Sequence, residues 1–333
     1  MFSQALRLTT GPGRVEHYRL FIFFVWYASL YNFCVRTVKI MRVLNIGSLN
    51  IDYVYNVDHI ILPGETMSTG ARNIYLGGKG INQTIAVRKA GVDIYHAGLI
   101  GEDGQMFLDA CDEYGVHADF IRKINVGTGH TIIQVDKNAQ NSILLYGGAN
   151  QELTEEYIDE VLASFDKGDI LMLQNEVNCM PYIIDRAYDI GMLIVLNPSP
   201  FNDRLHECDM SKVSVFLLNE VEGGQITNGE TDPDKIIDAM LKKYPDSRIV
   251  LTLGKDGAVY ADKAMRYRQP AFEVEAVDTT AAGDTFTGYF IAGLVENHSI
   301  ETTMRMAAKA SSIAVTRAGA VQSIPTRQEV ETD

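Results

Sequence analysis

The sequence predicts an α/β protein: a doubly wound, mostly parallel sheet flanked by helices, with a small β-sheet lid. Three observations predict it. Short β-branched apolar runs recur along the chain. Several are separated by segments with helical periodicity. Two further strand-like segments have no helix between them.

The recurring runs are VLNIG from Val43, Ile170–Gln174 (ILMLQ), Leu193–Pro198 (LIVLNP), Val215–Asn219 (VFLLN) and Ile249–Gly254 (IVLTLG). Continuous apolar runs of this length suit strands covered on both faces. Between such runs, Thr154–Phe165 (TEEYIDEVLASF) puts Tyr157, Ile158, Val161 and Leu162 on one helical face, with Thr154 placed to cap it. Parallel sheets of this kind bind ligands at the carboxyl ends of their strands. The two exceptions, Ile51–Leu62 and His130–Tyr146, read as strands or a hairpin projecting from the main domain. From periodicity alone they serve equally as a flap over the strand ends or as an edge extension.

The chain has 333 residues, and 46% are hydrophobic, enough to bury a large core. Its formal net charge is −14 and its pI is near 4.9, which argues against a nucleic-acid partner. The four cysteines (Cys34, Cys111, Cys179, Cys208) are scattered and form no CxxC. No metal-binding spacing appears among them and the seven histidines, so reduced thiols in a cytoplasmic protein are expected.

Leu20–Val35 is strongly apolar, but its sixteen residues are short of the roughly 20 needed to span a membrane. It also lacks a small-residue cleavage site before the next segment. Met41 opens a strand and turn, MRVLNIGS, so residues 1–40 read as an upstream extension or a misassigned start rather than an anchor. The expected working domain is 41–330, with lid segments near 51–75 and 128–147. No membrane partner is expected.

The stretch VDTTAAGDTFTGYF, Val277–Phe290, sets two aspartates, Asp278 and Asp284, around a small glycine-containing turn before an apolar helix. A helix N-terminus leaves backbone N–H groups unsatisfied and carries partial positive charge. In AAGD the side chains are small, and Gly283 lets a ligand approach the backbone closely. The amides of Ala282, Gly283 and Asp284 can therefore hold an anion. Beside it, Asp284 is suited to take a proton from an attacking hydroxyl, the combination that phosphoryl transfer needs. On these residues alone, a simple helix-capping role for Asp284 is equally open. A second glycine-rich stretch, GGKGINQTIAVRKAG (Gly77–Gly91), opens another helix, with Lys79 and Asn82 in its first turn. It has neither Walker A nor G-x-G-x-x-G spacing.

GGKGINQ and DTTAAGDTFTG closely resemble the two signatures of the ribokinase-like (PfkB) carbohydrate kinases. The resemblance runs from Met41 to about Arg327. It takes in GSLNIDYV, PGET, LQNE, LNPSP, LNEVE, TLGKDG and VTRAGAVQSIP, in the family's order.

It implies that Asp284 is the catalytic base and that the Ala282–Gly283–Asp284 amides form the anion hole. It implies that Asn50, Asp52, Gly78, Lys79, Asn82 and Glu176 hold a sugar. Asn197, Asn219, Thr252, Gly254 and Gly257 would belong to the ATP site, with Glu222 in an N-x-x-E element that organises Mg²⁺ and phosphate. Asp278 would bind K⁺ with oxygens of Thr280, Val315, Ala318, Ala320 and Ser323, a donor set suited to a hard cation. The acidic net charge is compatible with ATP, which arrives with Mg²⁺ and meets a local cradle of amides. The two irregular segments would be a lid that pairs with a second subunit in a homodimer.

Within the family, K-G-x-N-Q with N-x-D upstream and Q-x-E in mid-chain resembles the ribose-phosphorylating members more than those acting on fructose or adenosine. D-ribose, phosphorylated at its 5-hydroxyl, is the implied acceptor. Two departures stand out. His130 and Thr131 occupy a lid strand where such members carry small or apolar residues, and Met306–Ser312 lacks an adenine-side Asn or His.

Overall fold

The computed structural model describes residues 41–138 and 140–332. The apolar segment Leu20–Val35 and the expected extension 1–40 lie outside the described residues. No helix among the described residues is long and apolar enough to cross a membrane.

Thirteen strands and nine α-helices follow one another in these residues. In chain order the strands are β1 (Val43–Ile46), β2 (Asn50–Val57), β3 (Arg72–Gly77), β4 (Ile94–Ile100), β5 (His117–Lys123), β6 (Gly129–Asp136) and β7 (Asn141–Tyr146). Then come β8 (Ile170–Gln174), β9 (Leu193–Asn197), β10 (Val215–Asn219), β11 (Arg248–Thr252), β12 (Ala258–Ala261) and β13 (Arg266–Gln269). The helices are α1 (Lys79–Lys89), α2 (Gln105–Tyr114), α3 (Glu155–Leu162), α4 (Met180–Ile190), α5 (Glu220–Ile226), α6 (Pro233–Lys243), α7 (Ala282–Val295), α8 (Ile300–Ala314) and α9 (Arg327–Glu331).

The main sheet has the order β13-β12-β11-β10-β9-β8-β1-β4-β5. It is parallel from β11 to β5, and β12 runs against it, pairing antiparallel with both β11 and β13. Side chains alternate between its two faces. Leu44, Ile46, Leu171 and Leu173 point into a core closed by α3, α4 and α6. Val43, Ile170 and Met172 point into a second core closed by α1, α2, α7 and α8. Both faces are buried, and for that reason the strands read as continuous apolar runs. The helix expected from Thr154 forms as α3: Thr154 Oγ1 accepts the amide of Tyr157 at 3.2 Å, and Tyr157, Ile158, Val161 and Leu162 are buried.

The two irregular segments supply three strands of a separate four-stranded sheet, β3-β2-β6-β7, and the fourth, β3, comes from the chain beyond Leu62. β2 pairs parallel with β6, although they are far apart in the chain, while β3 and β7 flank them antiparallel. One registered row across this sheet is Tyr75–Asp52–Thr131–Leu145. The adjacent row, Ile74–Tyr53–Ile132–Leu144, faces the other way and is entirely apolar or aromatic.

Candidate active site

β1 and β8 lie side by side in the main sheet, yet the chain leaves them toward opposite edges. Such a reversal opens a crevice at the carboxyl ends of the strands. The strand-end residues stand in one row there: Gln174 is registered with Asn197, and Asn219 with Thr252.

One wall of the crevice is built from the turns that follow β1 and β8, together with the start of β2. Glu176 Oε2 accepts the Lys79 amide at 3.0 Å and also the Ser48 hydroxyl. Glu176 Oε1 stands 4.0 Å from the Lys79 ammonium. Asn50 is buried, and its Oδ1 accepts from Asn150 Nδ2 at 2.8 Å. Asn150 is itself fixed by both backbone groups of Leu49. Asn50 therefore keeps its own Nδ2 as a donor for a ligand. Asn50, Asn150 and Glu176, with Asn175 and Leu145, line a cavity of about 480 Å³.

Asp52 hangs over this wall from β2. Its carboxylate lies against Gly77, where a Cβ would come within 2.0 Å of it. Thr131 donates its hydroxyl to Asp52 Oδ1 at 2.6 Å. Burial pushes the Asp52 carboxyl up to about 6; the Thr131 bond opposes this, the Glu176 charge adds to it and the Lys79 ammonium subtracts. Gly78 precedes α1 with φ 94°, a left-handed conformation that favours glycine, and a Cβ there would meet the Ser48 hydroxyl at 3.0 Å.

The second wall is the N-terminus of α7. Ala281 precedes it at φ 58°, an unusual angle for a residue with a Cβ, and no side chain caps the helix. The expected cradle of three amides is reduced to two. The Ala282 amide already donates to the Thr279 carbonyl at 3.2 Å, because the left-handed Ala281 folds the chain back on itself. Among the described residues, no acceptor meets the amides of Gly283 and Asp284. The space above Gly283 is open, as close approach of a ligand requires.

Asp284 is buried in the first turn. Its Oδ2 accepts from Asn82 Nδ2 at 3.1 Å, and its Oδ1 from Gln83 Nε2 at 3.0 Å. Asn82 Oδ1 is left buried and unpartnered. Lys79 stands among the carboxylates of Asp284, Glu176, Glu222 and Asp52. Burial alone would lower its ammonium, but those four charges hold it above its ordinary value. Lys79, Asn197, Asn219, Glu222, Thr252 and the Ala282–Asp284 turn line a cavity of about 230 Å³.

Asn219 and Glu222 are tied together at the start of α5. Asn219 Oδ1 accepts the Glu222 amide at 2.9 Å, and Glu222 Oε2 accepts the Asn219 amide at 3.0 Å. This capping box uses one oxygen of each side chain and leaves Glu222 Oε1 for a ligand. Gly254 and Gly257 sit in the turn after β11, outside the lining of that cavity. At Gly257 a Cβ would strike the Gln269 carbonyl at 2.1 Å, so close backbone packing by itself requires glycine there.

Residues 41–327 match the family described as pfkB family carbohydrate kinase. The chain belongs to that family. A ribokinase from Haemophilus influenzae is 34% identical to this kinase over 292 residues, covering 85% of this chain and 95% of that one. A deoxyribokinase from Salmonella typhi is 31% identical, covering 87% and 97%. The structure of an Arabidopsis thaliana ribokinase complexed with ribose and ATP superposes with a TM-score of 0.77 at 28% identity, covering 87% of this kinase and 97% of that chain.

Around Asp278 the fold of this kinase brings together part of the expected oxygen shell. Asp278 Oδ1 accepts from the Thr280 amide and hydroxyl, at 2.9 and 2.6 Å, and Oδ2 from the Gly319 amide at 2.9 Å. Burial would raise its carboxyl, but these bonds outweigh burial and hold it below the usual range. The Val315 carbonyl, however, already accepts the amides of Val277 and Asp278, and the Ala320 carbonyl accepts both the amide and the hydroxyl of Ser323. Asp278 Oδ2, which accepts only the Gly319 amide, keeps a lone pair for a hard cation. The carbonyls of Val315 and Ala320 each already accept two hydrogen bonds. Among the described residues, no group of three His, Cys, Asp or Glu side chains forms a metal site.

His130 is part-buried and lies outside the lining of the 480 Å³ cavity. Its ring meets Tyr53 edge-on at 5.9 Å and Tyr146 at 5.0 Å. Sequence reasoning assigned no role to Ser48, Gln83, Asn150 or Gln174. Gln83 and Gln174 stand inside the quoted motifs GGKGINQ and LQNE, so the signal was present.

Proposed function

We propose that this kinase transfers the γ-phosphoryl group of ATP to the 5-hydroxyl of D-ribose. The observation that carries the reading is Asp284, a buried carboxylate held between two amide donors, directly beside two unengaged backbone amides. A sugar would enter the larger of these two cavities, where Asn50 and Glu176 offer a donor and a carboxylate acceptor for its hydroxyls, with Asp52 reaching toward it from β2. The unpartnered Asn82 Oδ1 would take a further hydroxyl hydrogen. The triphosphate would reach the smaller cavity along Asn197, Asn219 and Thr252, with the turn at Gly254 and Gly257 beside it.

In this reading Asp284 takes the proton of the 5-hydroxyl as its oxygen bonds to the γ-phosphorus. The bond to the β-phosphate oxygen breaks, and ADP leaves. The Gly283 and Asp284 amides and the Lys79 ammonium meet the charge that gathers on the phosphoryl oxygens. Asp284 then releases its proton to water. Mg²⁺, carried by ATP and held toward Glu222, would neutralise phosphate charge, and K⁺ at Asp278 would steady the turn before α7.

The row Ile74–Tyr53–Ile132–Leu144 supports a homodimer formed through the lid, since Leu144 is 67% exposed and Ile74 45%. We place the kinase in the cytoplasm, where ATP is supplied and where the free thiols of Cys111, Cys179 and Cys208 persist.

Turnover with ATP should be measured against D-ribose, 2-deoxyribose, fructose and adenosine, with Asp284→Asn as the control. Preferred turnover of ribose, lost by about 10²–10⁴-fold in Asp284→Asn while sugar binding persists, supports the reading. Preference for 2-deoxyribose would move the substrate to that sugar and leave the mechanism intact. No turnover on any acceptor would overturn it.

A further inference from the structure

Behind Asp284 runs a line of buried polar side chains that touches neither cavity's solvent. Gln83, Gln174, Asn45, Thr84 and His96 are all at most 1% exposed. Gln83 Nε2 donates to Asp284 at 3.0 Å, and its Oε1 accepts from Gln174 Nε2 at 2.8 Å. Gln174 Nε2 also donates to Asn45 Oδ1 at 3.1 Å. Asn45 Nδ2 donates to the Gly80 carbonyl at 2.8 Å and to Thr84 Oγ1 at 2.9 Å. Thr84 meets His96 Nδ1 at 2.8 Å.

The direction of every amide in this line is set by one backbone group. The Gly80 carbonyl can only accept, so Asn45 must present Nδ2 to it and Oδ1 to Gln174. Gln174 must then present Nε2, and Gln83 must receive it on Oε1. Only the N–H side of Gln83 remains for Asp284. Thr84, which accepts from Asn45, turns its hydrogen to His96, whose ring burial keeps neutral by pushing it down to about 4.

This polarity is kept at a cost. Gln174 spends its nitrogen on two neighbours and leaves its own Oε1 buried without a partner, and an unmet buried acceptor costs about 1–3 kcal/mol. A network serving packing alone is better replaced by apolar side chains of the same shape.

We propose that Gln83 is a positioning residue for the catalytic base, locked by Gln174 and Asn45 so that it can only donate to Asp284. A reversed Gln83 amide would set oxygen against the carboxylate and swing it away from the incoming hydroxyl. Gln83 keeps Asp284 turned toward the sugar and leaves the base its remaining lone pairs for the proton.

The proposal rests on Asp284 being the base, and the experiment separates the two. Gln83→Met preserves length and apolar volume but removes the donor. Its turnover should slow at least tenfold, with the dissociation constants of D-ribose and of a non-hydrolysable ATP analogue within twofold of the parent. Gln174→Met, which frees Gln83 to reverse, should show part of that loss, and the double variant should be no worse than Gln83→Met. Additive losses, an unchanged kcat in Gln83→Met, or a loss confined to sugar affinity would overturn it. If Gln83→Met does not fold, Gln174→Met decides: a kcat loss at constant affinities supports the proposal, and an unchanged kcat overturns it. Full activity in Asp284→Asn would instead remove the base itself.

Discussion

Thr131 donates its hydroxyl to Asp52 across the lid at 2.6 Å, and it is the largest influence opposing the burial that raises this carboxyl to about 6. A carboxylate binds sugar hydroxyls as an acceptor, so affinity for the sugar should be full above pH 7 and decline as pH falls through 6. Asp52→Asn should flatten that dependence and raise KM at neutral pH. Thr131→Val removes the opposing bond, so the decline should begin at higher pH. KM measured from pH 5 to 8 checks all three. For folding the sign is the reverse of the usual aspartate: the raised carboxyl contributes stability below the ordinary 3.8 and loses it as pH rises through about 6.

Gly288 of α7 sits against Ala86 of α1, where a Cβ would come within 2.3 Å of the Ala86 side chain and 2.6 Å of its backbone carbon. Four residues earlier on both helices, Asp284 meets Asn82. The close crossing therefore sets the spacing of that contact. Gly288→Ala should cost about 1–3 kcal/mol through overpacking and should lower kcat more than it raises either KM. Thermal unfolding and steady-state kinetics on the same preparation check this.

Asp278 is held in its charged form by Thr280 and Gly319. Turnover should rise when KCl replaces choline chloride at equal ionic strength. Asp278→Asn should abolish that rise while leaving some basal activity. Equal rates in the two salts would remove the cation from the proposal.

β7 exposes Ile143, Leu144, Leu145 and Tyr146 at the edge of the lid sheet. An apolar edge of this kind needs a cover. Sedimentation should report a dimer for the parent kinase. Leu144→Glu should shift it toward monomer and raise KM for the sugar more than KM for ATP.

Much of the main sheet was legible because both of its faces are buried, so Ile170–Gln174, Val215–Asn219 and their like are uninterrupted apolar runs. Thr154 was legible as a cap because its partner is three residues away. The lid was half legible. Two of its segments read as strands with no helix between them, but the parallel pairing of Asn50–Val57 with Gly129–Asp136 joins segments with nothing local to mark it. Asp284 stood out through its small-residue turn, whereas the donors that hold it lie about 200 positions earlier. Such contacts are set by how α1 and α7 cross, and the crossing depends on volume at Gly288 and Ala86. The loss of the Ala282 amide to Thr279 was hidden for the same kind of reason: it follows from one backbone angle at Ala281.

The groups proposed to grip the sugar stand on two different supports. Asn50 and Asp52 ride on the lid strand β2, while Asp284 and its two donors are bolted between helices of the main domain. Substitutions in the lid can therefore change which acceptor is welcomed without disturbing the machinery that moves phosphate. A scaffold divided in this way can diversify: new acceptors can be sampled one lid residue at a time, with the transfer step inherited intact.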